Sequence, residues 1–245
     1  GLEILMAADG ASFTDRLLSL PNLNAVYSAV LLEELRRGGL GHVFLCPGSR
    51  CSALTAAVAA SSVPHTMVTD ERGAGFAAIG FARASGRPAA VVVTSGTAVA
   101  NLLPATVEAA ADRVPLLLLT ADRPAELRDT GANQTVAQVG MLGPLRWFKD
   151  VPPPAESEPL VAWLADAAYA AACTLRQPQG PVQLNLQYRE PLAPSAAAWP
   201  AALLEAPRVA SWLASSSPFT VYSTAEGPPG EEVVAPLAAL PAGRG

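Results

Sequence analysis

Residues 89–124 read AAVVVTSGTAVANLLPATVEAAADRVPLLLLTADRP, and this stretch decides the fold. Ala89–Val93 is a five-residue apolar run and Pro115–Leu119 a second, with a helix predicted between them over Thr97–Ala111. Neither run alternates polar and apolar residues. Strands that are apolar at every position are buried on both faces, which is the situation in a parallel sheet covered by crossover helices. The same alternation continues outward. His42–Cys46 reads as a strand broken by Pro47-Gly48, Ser52–Ala60 as a helix, and His65–Val68 as a short strand. Asp70 caps a predicted helix running to about Ala84, with Gly86 as its stop. Asn22–Arg37 is an amphipathic helix ended by Gly38-Gly39, Leu160–Leu175 is a helix, and Val182–Leu186 is a strand. The fold class is therefore α/β, a doubly wound, mostly parallel sheet with helices on both faces.

Residues 1–20 carry no clear period and read as an N-terminal linker ahead of a domain over 21–195. A polar loop runs from Thr120 to about Gln134, followed by a weaker predicted helix, and Val151-Pro-Pro-Pro154 breaks the chain. Beyond residue 195 the Ala/Pro/Ser-rich composition reads as a linker, 196–245, entering a following domain. No internal repeat is visible.

Composition narrows the function. Of 245 residues, 51% are hydrophobic and 15% charged, so a large core is expected, and the net charge of −5 with no basic stripe argues against a nucleic-acid surface. The three cysteines lack metal-ligand spacing and read as reduced thiols of an intracellular or organellar compartment. No apolar stretch reaches the roughly 20 residues of a membrane span. The chain opens on Gly without a signal-peptide pattern, as expected of a processed or excised piece.

Four polar clusters follow four predicted strands: Cys46-Pro-Gly-Ser-Arg50, Thr69-Asp-Glu-Arg-Gly73, Thr94-Ser-Gly-Thr-Ala98 and Thr120-Ala-Asp-Arg-Pro124, with Gly131-Ala-Asn-Gln134 beyond the last. In a doubly wound sheet these positions converge on the edge where ligands bind. Each has a plain alternative. Pro47-Gly48-Ser49 suits a tight turn, Asp70-Glu71 suits the acidic first turn of any helix, and Arg123 suits a solvated loop. Ser95-Gly96-Thr97 matches neither the Walker nor the dinucleotide fingerprint. Their coincidence favours a site.

In this order the motifs resemble the N-terminal pyrimidine-binding domain of the MenD family, the thiamine-diphosphate-dependent 2-succinyl-5-enolpyruvyl-6-hydroxy-3-cyclohexene-1-carboxylate synthases of menaquinone and phylloquinone synthesis. The likeness covers about residues 22–195. Pro152-Pro-Pro154 and Ser217–Tyr222 look more like the fused plant and algal form, which implies a chloroplast location, with bacterial cytoplasm as the alternative. Cys51-Ser-Ala53 departs from the family pattern. The resemblance implies that Glu71 is the catalytic acid, hydrogen-bonded to the cofactor's pyrimidine nitrogen so that the coenzyme deprotonates its own thiazolium carbon. Such a group must keep or share a proton near neutral pH, so shielding by Val68, Phe76 and Ala77 is expected. Thr97 is implied to line the pyrimidine pocket. Ser49, Arg50, Arg123, Asn133 and Gln134 match positions that contact 2-oxoglutarate, isochorismate or what forms from them. Magnesium and diphosphate are implied to bind a separate C-terminal domain, since no Gly-Asp-Gly motif occurs here, and the complete site is implied to need a homodimer or homotetramer. This fragment alone is expected to be inactive. Two rival readings stay open: another thiamine-diphosphate 2-oxoacid carboligase or decarboxylase, and a non-catalytic assembly domain.

Overall fold

A computed structural model describes residues 11–223. Six strands, all parallel, form one sheet: β1 (His42–Leu45), β2 (His65–Met67), β3 (Ala89–Val93), β4 (Leu116–Asp122), β5 (Trp147–Val151) and β6 (Pro181–Gln187). Their spatial order is β2-β1-β3-β4-β6-β5. Every residue of β3, β4 and β6 is buried. Successive side chains point to opposite faces, so Ala90, Val92, Leu117, Leu119 and Ala121 enter one core while Ala89, Val91, Val93, Leu116 and Leu118 enter the other. That division explains why these strands lack alternation in the sequence.

Helices α2 (Leu23–Arg37), α3 (Ser52–Ala60) and α7 (Leu160–Leu175) supply the first core. Helices α4 (Glu71–Ser85), α5 (Thr97–Ala100) and α6 (Leu103–Ala111) supply the second. Asn22 caps α2 by accepting from Ala25 N–H at 3.1 Å, and Asp70 caps α4 by accepting from Arg72 and Gly73 N–H. Gly86 ends α4 at φ +69°, a conformation a side chain disfavours. The chain leaves β1 toward β2 on one side and returns to β3 on the other. The switch point therefore lies between β1 and β3, where open α/β sheets bind ligands.

Five local expectations need correction. The predicted helix 97–111 is two helices, because Pro104 in the first turn of α6 has no N–H to give Ala100 and forces a break at Asn101-Leu102. Strand β4 continues through Asp122, paired with Gln187 of β6, where a loop was expected from Thr120. No helix forms between Gln134 and β5. Residues 135–145 form turns, and β5 comes next as a parallel edge strand, its Lys149-Asp150 polarity having masked it. Within the predicted N-terminal linker, Phe13–Leu18 forms a helix, α1, capped by Ser12 and burying Leu17. Within the predicted C-terminal linker, Ala201–Leu204 forms a 3-10 turn and Pro207–Leu213 a helix, α8. The remaining residues of both predicted linkers, 1–10 and 224–245, lie outside the described residues.

Helix α8 docks through one buried carboxylate. Glu34 of α2 is fully buried and accepts from Trp212 Nε1 at 2.7 Å and from Phe219 N–H at 2.8 Å. Arg37 lies over the Trp212 ring, 4.2 Å from its centroid. Burial pushes the Glu34 carboxyl up to about 7 from an ordinary 4.5, although both donors and Arg37 pull the other way. The unfolded chain thus releases this proton earlier than the folded one. The stability this group contributes at low pH is lost as pH rises from about 4.5 to about 7. In urea denaturation across that window, wild type should lose stability relative to Glu34→Gln, and a constant difference would contradict the assignment. Glu34→Ala, which strands two N–H donors, should cost about 1–3 kcal/mol.

Candidate functional site

The carboxyl ends of all six strands open on one edge, and the polar clusters gather there. After β1, Cys46 makes the last ladder bond to the Val92 carbonyl at 2.9 Å, and the chain turns through Pro47-Gly48. A Cβ on Gly48 would stand 2.5–2.8 Å from Thr94 side-chain atoms, so only glycine lets the β1 and β3 ends approach so closely. Ser49–Cys51 then form one 3-10 turn, with Ser49 exposed and Arg50 only 8% exposed. Arg50 Nη1 donates to the Tyr188 carbonyl at 2.9 Å, Nη2 lies 3.6 Å from the Glu190 carboxylate, and Nε is buried without a partner. Burial, then the Arg123 charge, lowers this guanidinium from its ordinary range.

After β3 the chain passes through Ser95, buried, and Gly96 at φ +81°, before Thr97 opens α5 as an exposed residue. Arg123, at the end of β4 and 8% exposed, donates Nη1 to Ser95 Oγ at 2.6 Å and to the Gln134 carbonyl at 2.8 Å. Gln134 answers with Nε2 on the Ser95 carbonyl at 3.0 Å. Gln134, at φ +53°, packs so closely on Gly96 that a Cβ there would stand 2.9 Å from its Cγ and 3.0 Å from its carbonyl oxygen. Asn133 is exposed beside it. The fold therefore joins Arg123 and Gln134 directly and sets Arg50 within electrostatic reach. Ser49, Thr97 and Asn133 stay on the rim.

Glu71 is the first residue of α4 and half-buried. It stands beside the β1 end: burial, followed by the Glu71 charge, pushes the Cys46 thiol up to about 11. The expected apolar shield is not closed by this chain. Val68 is half-buried, but Phe76 is 48% exposed and Ala77 is exposed. Helix α4 turns Ala74, Ala78, Ile79 and Ala82 into the core and sets Gly75 against Ala105. Phe76 is left on the outer face, with exposed Leu103 and Val107 of α6. Apolar spacing in so small-residued a helix does not tell which face is inward.

Beneath the arginines lies a buried polar network that sequence reading missed. Asn185 of β6 donates Nδ2 to Asp122 Oδ2 and to Asp150 Oδ1, both at 2.8 Å, and accepts at Oδ1 from Thr120 and Gln138. Arg128 bridges the two carboxylates, at 2.8 Å from each. Burial raises the Asp122 carboxyl against these donors. Burial raises Asp150 too, but Arg128 and Asn185 outweigh it and hold that carboxyl below its ordinary range. The available signal was Gln183 and Asn185 at alternate positions inside the apolar run of β6. Among the described residues, no group of three or more His, Cys, Asp or Glu side chains is placed to hold a metal ion.

A family model described as "Thiamine pyrophosphate enzyme, N-terminal TPP binding domain" matches residues 26–141. Three curated relatives are named 2-succinyl-5-enolpyruvyl-6-hydroxy-3-cyclohexene-1-carboxylate synthase. The chain is 50% identical to that of Salinibacter ruber over 88% of its own length and 37% of the relative's. It is 48% identical to that of Rubrobacter xylanophilus over 89% and 37%. It is 46% identical to that of Roseiflexus castenholzii over 90% and 39%. The chain thus spans less than two-fifths of the length of these bacterial relatives.

The network carries a prediction. Arg128→Met removes the cation shared by Asp122 and Asp150 and leaves two carboxylates facing each other in a largely buried setting. It should cost about 2–4 kcal/mol in urea denaturation at pH 8. The loss should shrink toward pH 4, where the variant, without the guanidinium that holds Asp150 down, takes up protons on its facing carboxyls ahead of wild type. A loss equal at the two pH values would refute the pairing.

Proposed function

Because this chain is a member of the 2-succinyl-5-enolpyruvyl-6-hydroxy-3-cyclohexene-1-carboxylate synthase family, spanning its N-terminal part, we propose that it is the pyrimidine-binding portion of such a synthase. The whole enzyme would decarboxylate 2-oxoglutarate and add the resulting succinyl unit to isochorismate. One observation carries this reading. Two guanidinium groups, Arg50 and Arg123, are buried within electrostatic reach of each other at the carboxyl ends of the strands, and Nε of Arg50 is without a partner. Burying like charges side by side costs free energy that an anion recovers. Both proposed substrates carry carboxylates, which arginine recognises bidentately.

The residues present fit one half of the cofactor. Glu71 puts a carboxyl at the N-terminus of α4, next to the β1 turn, and Thr97 opens α5; we assign both to the aminopyrimidine ring, as the family likeness implies. Thiamine diphosphate, when bound, supplies the carbon nucleophile and the electron sink for loss of carbon dioxide. Glu71 would hold a proton against the ring nitrogen. Arg50, Arg123 and Gln134, with Ser49 and Asn133 on the rim, would orient substrate carboxylates. Magnesium and diphosphate would be held by a separate C-terminal domain, as the family likeness implies. The exposed Phe76, Leu103 and Val107 suit closure over Glu71 by a second subunit, in a homodimer or homotetramer. A plastid setting and a phylloquinone product rest only on the likeness of 152–154 and 217–222 to the fused form, and menaquinone is the product if the setting is bacterial.

Glu71→Gln in the full-length enzyme should lower carboligation by about 10²–10⁴-fold with an unchanged denaturation midpoint. Retained turnover would remove Glu71 from this role. Assays offering pyruvate against 2-oxoglutarate decide the substrate: preference for pyruvate favours a different 2-oxoacid carboligase, and inertness toward both favours an assembly domain.

A further inference from the structure

From Asn133 to Met141, Gln138 is the one buried residue, 1% exposed. Its amide reaches three elements. Oε1 accepts from Gly96 N–H at 2.8 Å, and Nε2 donates to the Ala121 carbonyl at 3.1 Å and to Asn185 Oδ1 at 2.8 Å. These partners lie on the β3–α5 turn, on β4 and on β6. Gly96 is also the residue on which Gln134 packs, so one turn is gripped by both ends of the segment 134–138.

The polarity of these contacts is forced. Asp122 and Asp150 as carboxylates only accept, so Asn185 turns its NH2 toward them and its Oδ1 away. Gln138 must then present NH2 to Asn185, which leaves its oxygen for the Gly96 N–H. A glutamate there would set a second oxygen against two acceptors. A shorter side chain would not span the three elements. Only a glutamine meets all of them.

We propose that Gln138 is a positioning residue. It sets the register between the Ser95-Gly96-Thr97 turn and the Asn133-Gln134 loop, and through the Gln134 carbonyl it fixes the direction of Arg123. The proposal rests on the reading of Arg123 and Gln134 as substrate contacts. Gln138 itself touches no reacting group, so its loss should act mainly on substrate capture.

The test uses the full-length enzyme with Gln138→Leu, which keeps most of the volume, and Gln138→Glu, which keeps the shape and the acceptor toward Gly96. Each variant should raise KM for the carboxylate substrates about tenfold with kcat within about threefold of wild type. Thiamine diphosphate affinity, measured by calorimetric titration, should fall by less than the rise in KM, because only Thr97 links the Gly96 turn to the ring. Hydrogen exchange of the amides in 129–140 should quicken about tenfold while β3 and β4 keep their protection. Wild-type KM with wild-type exchange overturns the proposal. So does a loss of protection spread over β3 and β4, or failure of both variants to fold, since either makes Gln138 a general support of the fold. A wild-type enzyme inert toward 2-oxoglutarate and isochorismate sinks the functional reading alone, and the exchange pattern then decides the anchor by itself.

Discussion

Complete burial of β3, β4 and β6 is the constraint from which the rest of this molecule follows. A strand covered on both faces has no water to satisfy a polar side chain. Polar residues must therefore move to the strand ends or find partners inside. Both outcomes occur here. Ser49, Arg50, Glu71, Thr97 and Arg123 sit past the ends, where the parallel arrangement collects them on one edge. Thr120, Gln183 and Asn185 stay within the strands and bond to one another.

The inside network is what gives the edge its shape. Asn185 joins β6 to the carboxylates at the ends of β4 and β5, and Arg128 closes the pair. Asp122 also accepts from the Arg123 N–H at 2.7 Å, which fixes the backbone from which that guanidinium departs. The arginine then meets Ser95 and Gln134 from a rigid base. The guanidinium is thereby preorganised, and the fold carries its desolvation cost.

Legibility tracked the same constraint. Both central apolar runs, the cap at Asp70 and the stop at Gly86 are local features, and each was readable from a few residues. The strand-end motifs were readable because a parallel sheet brings all such ends together. Edge strand β5 was not, since its Trp-Phe-Lys-Asp-Val pattern is half-buried and only its pairing with β6 defines it. Helices α1 and α8 were missed because they are short and owe their order to distant partners, Trp212 meeting Phe13 in one case and Glu34 in the other. Gln138 left no local mark either: its three partners come from three separate elements.

Glu71 shows the remaining boundary. Its place at the head of α4 follows from the Asp70 cap, a local signal. Its surroundings depend on which side of α4 meets the sheet, and the sheet takes the alanines. Gly75 permits contact with Ala105 of α6, and that close approach holds the two helices side by side with Phe76, Leu103 and Val107 turned outward. The same packing that buries the small residues therefore exposes the large ones. Exposed apolar side chains of this size lower their free energy by acquiring a cover.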